Sequence, residues 1–141
     1  MFTVTRILPG FDTAHRITRH ESKCKNLHGH RYSAEITCTA ELDELGRVVD
    51  FGVIAERVGG WVNEKLDHGT IANEDDTALV AYCKTSDSKL FTIQGEPTAE
   101  NIARLLYRKA KELLADTGVD VLQVRVYETP NCYADYQEGE C

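Results

Sequence analysis

The chain has 141 residues and a formal net charge of −7, with 23 acidic against 16 basic side chains. That balance disfavours a nucleic-acid partner, although a small pocket can still concentrate positive charge for a phosphorylated substrate. No apolar run approaches the ~20 residues of a membrane span, and MFTVTRILPGFD lacks the basic-then-apolar order of a secretory leader.

Hydrophobic residues make up 42% of the chain, ordinary for one globular domain over residues 1–141 with a modest core. The five cysteines, Cys24, Cys38, Cys83, Cys132 and Cys141, are odd in number and form no CxxC pair. This argues for a reducing, cytoplasmic setting rather than a disulfide framework. Cys38, Cys83 and Cys132 read as small buried side chains, and Cys141 as a mobile terminus.

Residues 2–8 alternate as a strand, Pro9-Gly10 interrupts it as a bulge or bend, and FDTAHRI resumes with Phe11, Thr13 and His15 on one face. Residues 18–27 are polar and basic and read as a loop. A second strand spans 30–41, where Tyr32, Ala34, Ile36 and Cys38 share parity. Asp50 caps a first helix to about Leu66, with Val53, Ile54, Val58, Trp61, Val62 and Leu66 as its apolar stripe. Gly59-Gly60 inside it weakens the helix unless a close neighbour packs there.

Residues 67–97 carry little pattern. LFTIQ reads as a short strand and the rest as loop. Pro97-Thr98 opens a second helix over 98–116, capped by Thr98 and closed by Gly118. Residues 120–128 form a third strand, and 132–137 a fourth after the Pro130-Asn131 turn. The expected fold is α+β: a four-stranded antiparallel sheet in ββααββ order with two helices on one face. Its open edges invite edge-to-edge association into a larger barrel.

CKNLHGH (24–30) concentrates the chemistry. His28 and His30, two apart on a strand, point to one face and can chelate a single zinc ion. His15, on a neighbouring strand, supplies a third imidazole and leaves the open position of a catalytic site. The alternative is a histidine cluster satisfied by hydrogen bonds. His20 lies in the polar loop and reads as solvated. Cys24 is an inert thiol, a fourth ligand, or a reactive thiolate favoured by Lys23 and Lys25.

Asp67-His68 could form a carboxylate-oriented imidazole. Adjacent residues need a turn for that contact, and the alternative is a histidine favoured at a helix C-terminus. Glu128 shares parity with Leu122, Val124 and Val126 and ends an apolar strand face. Its carboxylate could accept hydrogen bonds from an amidine-like edge such as that of a pterin or guanine; the alternative is a solvated strand end.

Taken together, FDTAH, CKNLHGH, GRVVDFG, LDH, PTAENIA and YET resemble, in order and over nearly the whole chain, the 6-pyruvoyl-tetrahydropterin synthase / 6-carboxytetrahydropterin synthase family. The CxxxHGH spacing resembles the carboxy branch, which makes an early intermediate of queuosine and other 7-deazaguanines. The resemblance implies a tunnelling fold assembled as a homohexamer of two stacked trimers, with active sites between subunits. It implies zinc on His15, His28 and His30, Cys24 as the base, and Asp67 with His68 completing proton transfer. Glu128 would anchor the pterin, with Thr98 near it. The implied reaction is zinc-dependent conversion of 7,8-dihydroneopterin triphosphate to 6-carboxy-5,6,7,8-tetrahydropterin, acetaldehyde and triphosphate.

Alternatives are 6-pyruvoyl-tetrahydropterin synthase, with triphosphate elimination alone, a Cys–His–Asp hydrolase, and a non-catalytic zinc- or pterin-binding protein. Departures from the family pattern fall at Asp12, Gly69 and Ile71-Ala72-Asn73, and residues 74–96 are longer than in compact members. They bear on the pocket wall rather than on the chemistry.

Overall fold

The interruption at Pro9-Gly10 divides the first strand into β1 (Thr3–Ile7) and β2 (Phe11–His15), and both lie antiparallel along the same edge of the twelve-residue β3 (His28–Thr39) in a computed structural model describing residues 1–139. β1 pairs with the far half of β3, from Thr3 opposite Thr39 to Ile7 opposite Glu35. β2 pairs with its beginning, from Phe11 opposite Tyr32 to His15 opposite His28. Gly10 sits in the bend because a Cβ there would lie 2.8 Å from Arg31 Nε. Cys141 lies outside the described residues.

A single helical run follows: α1 (Phe51–Ile54), a π turn (Ala55–Gly59) and α2 (Gly60–Lys65). Asp50 caps it as expected, its carboxylate accepting from Gly52 N at 2.8 Å. Ile54, Val58, Val62 and Leu66 are buried. At Gly59 a Cβ would meet Pro9 and Leu8 at 3.7 and 3.8 Å, ordinary van der Waals contact, and at Gly60 it would meet nothing, so neither glycine is required by a close neighbour within the chain.

Within 67–97 the expected LFTIQ strand is present as β5 (Leu90–Ile93), but the rest, read as loop, contains β4 (Gly69–Asn73) and α3 (Thr77–Thr85). Then come α4 (Ala99–Leu113), β6 (Asp120–Thr129) and β7 (Cys132–Tyr136). Thr98 caps α4 as expected, its hydroxyl accepting from Asn101 N at 3.2 Å. The helix stops at Leu113, tightens into a 3-10 turn over Ala115–Thr117, and turns away at Gly118 with φ +81°.

The expected four-stranded antiparallel sheet in ββααββ order is therefore corrected. The sheet has seven strands in the order β5-β4-β2-β3-β6-β7, with β1 sharing the edge of β3. It is mixed, because β4 runs parallel to β2 and β5 parallel to β4. The sheet of the single chain is open, and a third helix, α3, joins the two expected. A register shift leaves Leu122 without a partner, so Val121 rather than Leu122 is buried.

The core lies between the inner face of β3 and β6 and the two long helical runs; Tyr32, Ile36, Val124, Val58 and Leu106 are essentially inaccessible. A smaller cluster of Ala72, Leu79 and Cys83 underlies α3. Cys38 and Cys83 are buried as expected, but Cys132 is exposed at the start of β7. Among the described residues no helix is long and apolar enough to cross a membrane.

Arg16, just past β2, reaches across to the α3 cap. Its Nε and Nη2 donate to Asp76 Oδ2 and Oδ1 at 2.7 and 2.5 Å. Asp76 also accepts from Leu79 N, and its side chain is only 4% exposed. The Arg16 guanidinium holds this carboxyl below its ordinary value of 3.8. A depressed folded-state value makes the ion pair stabilising above pH 3.8, with the contribution lost as pH falls below that through the folded value. Asp76→Asn is therefore expected to cost about 1.5–3 kcal/mol at pH 7. Urea melts of both proteins should converge in acid, and an unchanged gap at low pH would contradict the assignment.

Candidate active site

Alternation along β2 and β3 sets one continuous inner face. On β3 it runs from Cys38, Ile36, Ala34 and Tyr32 to His30 and His28; on β2 it carries Phe11, Thr13 and His15. The same parity that fills the core thus ends in three imidazoles. Ring centroids are 4.7 Å apart for His15–His28, 5.2 Å for His15–His30 and 4.8 Å for His28–His30. Each offers a ligand nitrogen, and these nitrogens all lie within 4.8 Å of one another.

Backbone carbonyls orient two of the rings. His15 Nδ1 lies 2.7 Å from Pro97 O, and His28 Nδ1 lies 2.7 Å from Asn26 O. A carbonyl can only accept, so each Nδ1 carries the proton and each Nε2 keeps its lone pair. His15 is 1% exposed, and its Nε2 is a buried polar atom without a hydrogen-bond partner. Burial holds this imidazole below its ordinary value of 6.5, against the raising effects of Pro97 and the Glu128 charge. A neutral ring with an orphaned lone pair facing two more imidazoles is the donor set of a divalent cation.

Glu128 is not at a remote rim. Its Oε1 lies 3.5 Å from His15 Nε2 and 3.8 Å from His30 Nε2. The carboxylate is about one-third exposed, so it forms a wall of the same site that a ligand can reach. Tyr32, expected only as an inward-facing strand residue, supports the cluster from below, its hydroxyl 3.2 Å from His15 Nδ1 and its ring stacked on Phe11. Burial, then the Glu128 charge, raises the Tyr32 pKa and keeps the phenol protonated. Its shared parity with His28 and His30 was the available signal.

Asp67 and His68 make the contact that needed a turn. His68 has φ 60°, a left-handed backbone rare for a residue with a side chain. It brings His68 Nδ1 to 2.8 Å from Asp67 Oδ2. Asp12 locks the pair from β2: its N–H donates to Asp67 Oδ1 at 2.8 Å, and its carbonyl accepts from His68 N at 2.7 Å. The Asp12 N–H bond, followed by the bond to His68, holds the Asp67 carboxyl below its ordinary value.

His68 opens onto a depression of about 460 Å³ lined also by Asp12, Thr13, Ala14, Gly29, His30 and Arg31. Among the described residues the dyad, with Asp12, and the three imidazoles group as two clusters that share no residue, although His30 lines the depression in front of His68. Gly69 has a local reason here. A Cβ there would lie 2.9 Å from Lys89 Cδ and 3.2 Å from Leu66 O, and Lys89 Nζ donates to Asp67 O at 2.6 Å.

Cys24 sits half-buried in a 3-10 turn, Lys23–Lys25, and joins neither cluster. Its carbonyl accepts from Ile17 N at 2.9 Å. His20 is half-buried rather than fully solvated, with Nδ1 accepting from Ser22 N. Thr98 follows the Pro97 carbonyl that orients His15, so one short segment both caps α4 and fixes the His15 ring.

A family model described as 6-pyruvoyl tetrahydropterin synthase matches residues 5–139. A 6-carboxy-5,6,7,8-tetrahydropterin synthase of Rickettsia bellii is 41% identical over 128 residues, covering 89% of this chain and 93% of that protein. One from Haemophilus influenzae is 30% identical, covering 98% of this chain and all of that protein. Among solved structures, a 6-pyruvoyl tetrahydropterin synthase of Caenorhabditis elegans superposes with a TM-score of 0.70 at 24% identity, covering 98% of this chain and 96% of that one. An uncharacterized protein of Wolinella succinogenes gives 0.84 at 20% identity, covering 98% of each chain.

Proposed function

The chain belongs to the 6-pyruvoyl tetrahydropterin synthase family, and on that premise we propose that it is a lyase converting 7,8-dihydroneopterin triphosphate and one water to 6-carboxy-5,6,7,8-tetrahydropterin, acetaldehyde and triphosphate. The observation that carries the reading is the buried, unpartnered His15 Nε2 facing His28 and His30. The name shared by the curated relatives and the CxxxHGH spacing favour the carboxy product.

His15, His28 and His30 would hold Zn²⁺, which when bound supplies Lewis acidity to the hydroxyls of the substrate side chain. Glu128, on the wall of that site, would accept from the N–H groups of the pterin amidine edge, whose planar pair of donors matches a carboxylate. Thr98 lies at the end of the segment behind His15 and would close the same wall. The Cys24 thiolate would take a carbon-bound proton from the side chain, and the Asp67–His68 pair would return one. Asp67, held by the Asp12 N–H, orients the His68 ring through its bond to Nδ1.

Within one chain the dyad and the three imidazoles form two clusters that share no residue, with His30 alone of the imidazoles lining the depression in front of His68. That separation supports a site completed by a second copy, with Cys24 and the Asp67–His68 pair drawn from different subunits of a homohexamer. The product would feed 7-deazaguanine formation in the cytoplasm.

Incubating metal-replete protein with dihydroneopterin triphosphate and analysing the products by mass spectrometry tests the reaction. Acetaldehyde and the 6-carboxy product are expected. A 6-pyruvoyl product without acetaldehyde would move the chain to the other branch, and tight binding without turnover would make it a pterin-binding protein.

A further inference from the structure

The loop that carries Cys24 is held by a carboxylate that the chemistry above leaves unused. Glu96 accepts from Thr18 Oγ1 at 2.5 Å, Thr18 N at 3.2 Å and Arg19 Nε at 3.3 Å. Its side chain is only 12% exposed. Its own carbonyl accepts from Asn101 Nδ2 at 2.8 Å, which ties Glu96 to the first turn of α4. On the loop side, Ile17 N donates to Cys24 O at 2.9 Å, so the residue before Thr18 is bonded directly to the residue bearing the thiol.

We propose that Glu96 is a positioning residue for Cys24. Its carboxylate fixes Thr18 and Arg19 against α4, and the Ile17–Cys24 backbone bond passes that constraint to the thiol. The chemistry of the clamp suits the task. A charged acceptor taking a hydroxyl and an amide from one residue fixes both position and orientation, and such bonds are stronger than neutral ones. Burial of Glu96 sustains them by excluding competing water. The clamp is separate from the imidazole cluster, because the Pro97 carbonyl, not the Glu96 side chain, orients His15.

The inference rests on Cys24 being the base, and the test separates the two. Glu96→Ala and Thr18→Val remove opposite halves of the clamp. In metal-replete protein, hydrogen exchange of residues 17–26 should accelerate by at least about 10-fold in both, with metal content unchanged. Turnover should fall on the order of 10- to 100-fold, carried by kcat rather than KM, as expected when a reacting group is misplaced but substrate still binds. Glu96→Gln, which keeps an acceptor for Thr18, should recover part of both. Unchanged exchange in residues 17–26 overturns the proposal whatever the activity. Loss of metal or of the fold in both variants overturns it too, by making the contact structural. Accelerated exchange with full turnover leaves the clamp standing and removes Cys24 as the base.

Discussion

Replacing Cys24 with alanine is expected to lower kcat by about 10²–10⁴-fold, the usual range for a lost general acid or base, while metal content stays at the wild-type level. The geometry predicts this split. Cys24 lies in the Lys23–Lys25 turn and is not among the three ligand nitrogens that converge. Its loss leaves His15 and His28 still held by the Pro97 and Asn26 carbonyls. It is half-buried rather than part of the core, so the cavity term is small. Steady-state kinetics beside elemental analysis of the same preparation makes the comparison. Full turnover would remove the thiol from the mechanism, and lost metal would make it a ligand instead.

His28→Ala should abolish metal retention. Among the described residues this cluster of donors consists of three imidazoles, so one deletion leaves two. Removing an outer-shell partner already costs 10–100-fold in metal affinity, so loss of a ligand itself should exceed ~100-fold. His28 is a better test than His15. It is half-buried at the start of β3, whereas His15 is 1% exposed and its removal would open a cavity beside Tyr32. Metal analysis after dialysis, with circular dichroism to show the fold retained, reads the result. Stoichiometric metal in the folded variant would mean that the centre is held by other groups.

Where one face of a strand is buried, the sequence announces it. The parity of Tyr32, Ala34, Ile36 and Cys38 marks β3, which begins two residues earlier than the expected 30–41, and the His-x-His spacing within CKNLHGH marks His28 and His30. Asp50 and Thr98 announced their helices as caps. Apart from LFTIQ, the run from 67 to 97 did not yield, for identifiable reasons. β4 is buried over Ile71–Asn73 without alternation because its two faces meet different clusters, Ile71 the main core and Ala72 the cluster under α3. α3 buries only Leu79 and Cys83, too few for a stripe. Its Asp76 cap was nevertheless present in the text of the chain. The left-handed His68 had no signature beyond the Gly after it, and the Glu96 clamp joins residues 78 positions apart, beyond the reach of any local pattern.

β3 belongs to two regions at once. One end of it is core and the other end supplies two of three imidazoles, and β2 closes both. Any cation gripped there by the native state alone adds RT ln(1 + [L]/Kd) to the free energy of unfolding. Heat resistance is then a direct gauge of loading: a melting curve taken across a metal titration reports occupancy with no substrate present, and a chelator should lower the melting temperature of the parent protein but not of His28→Ala.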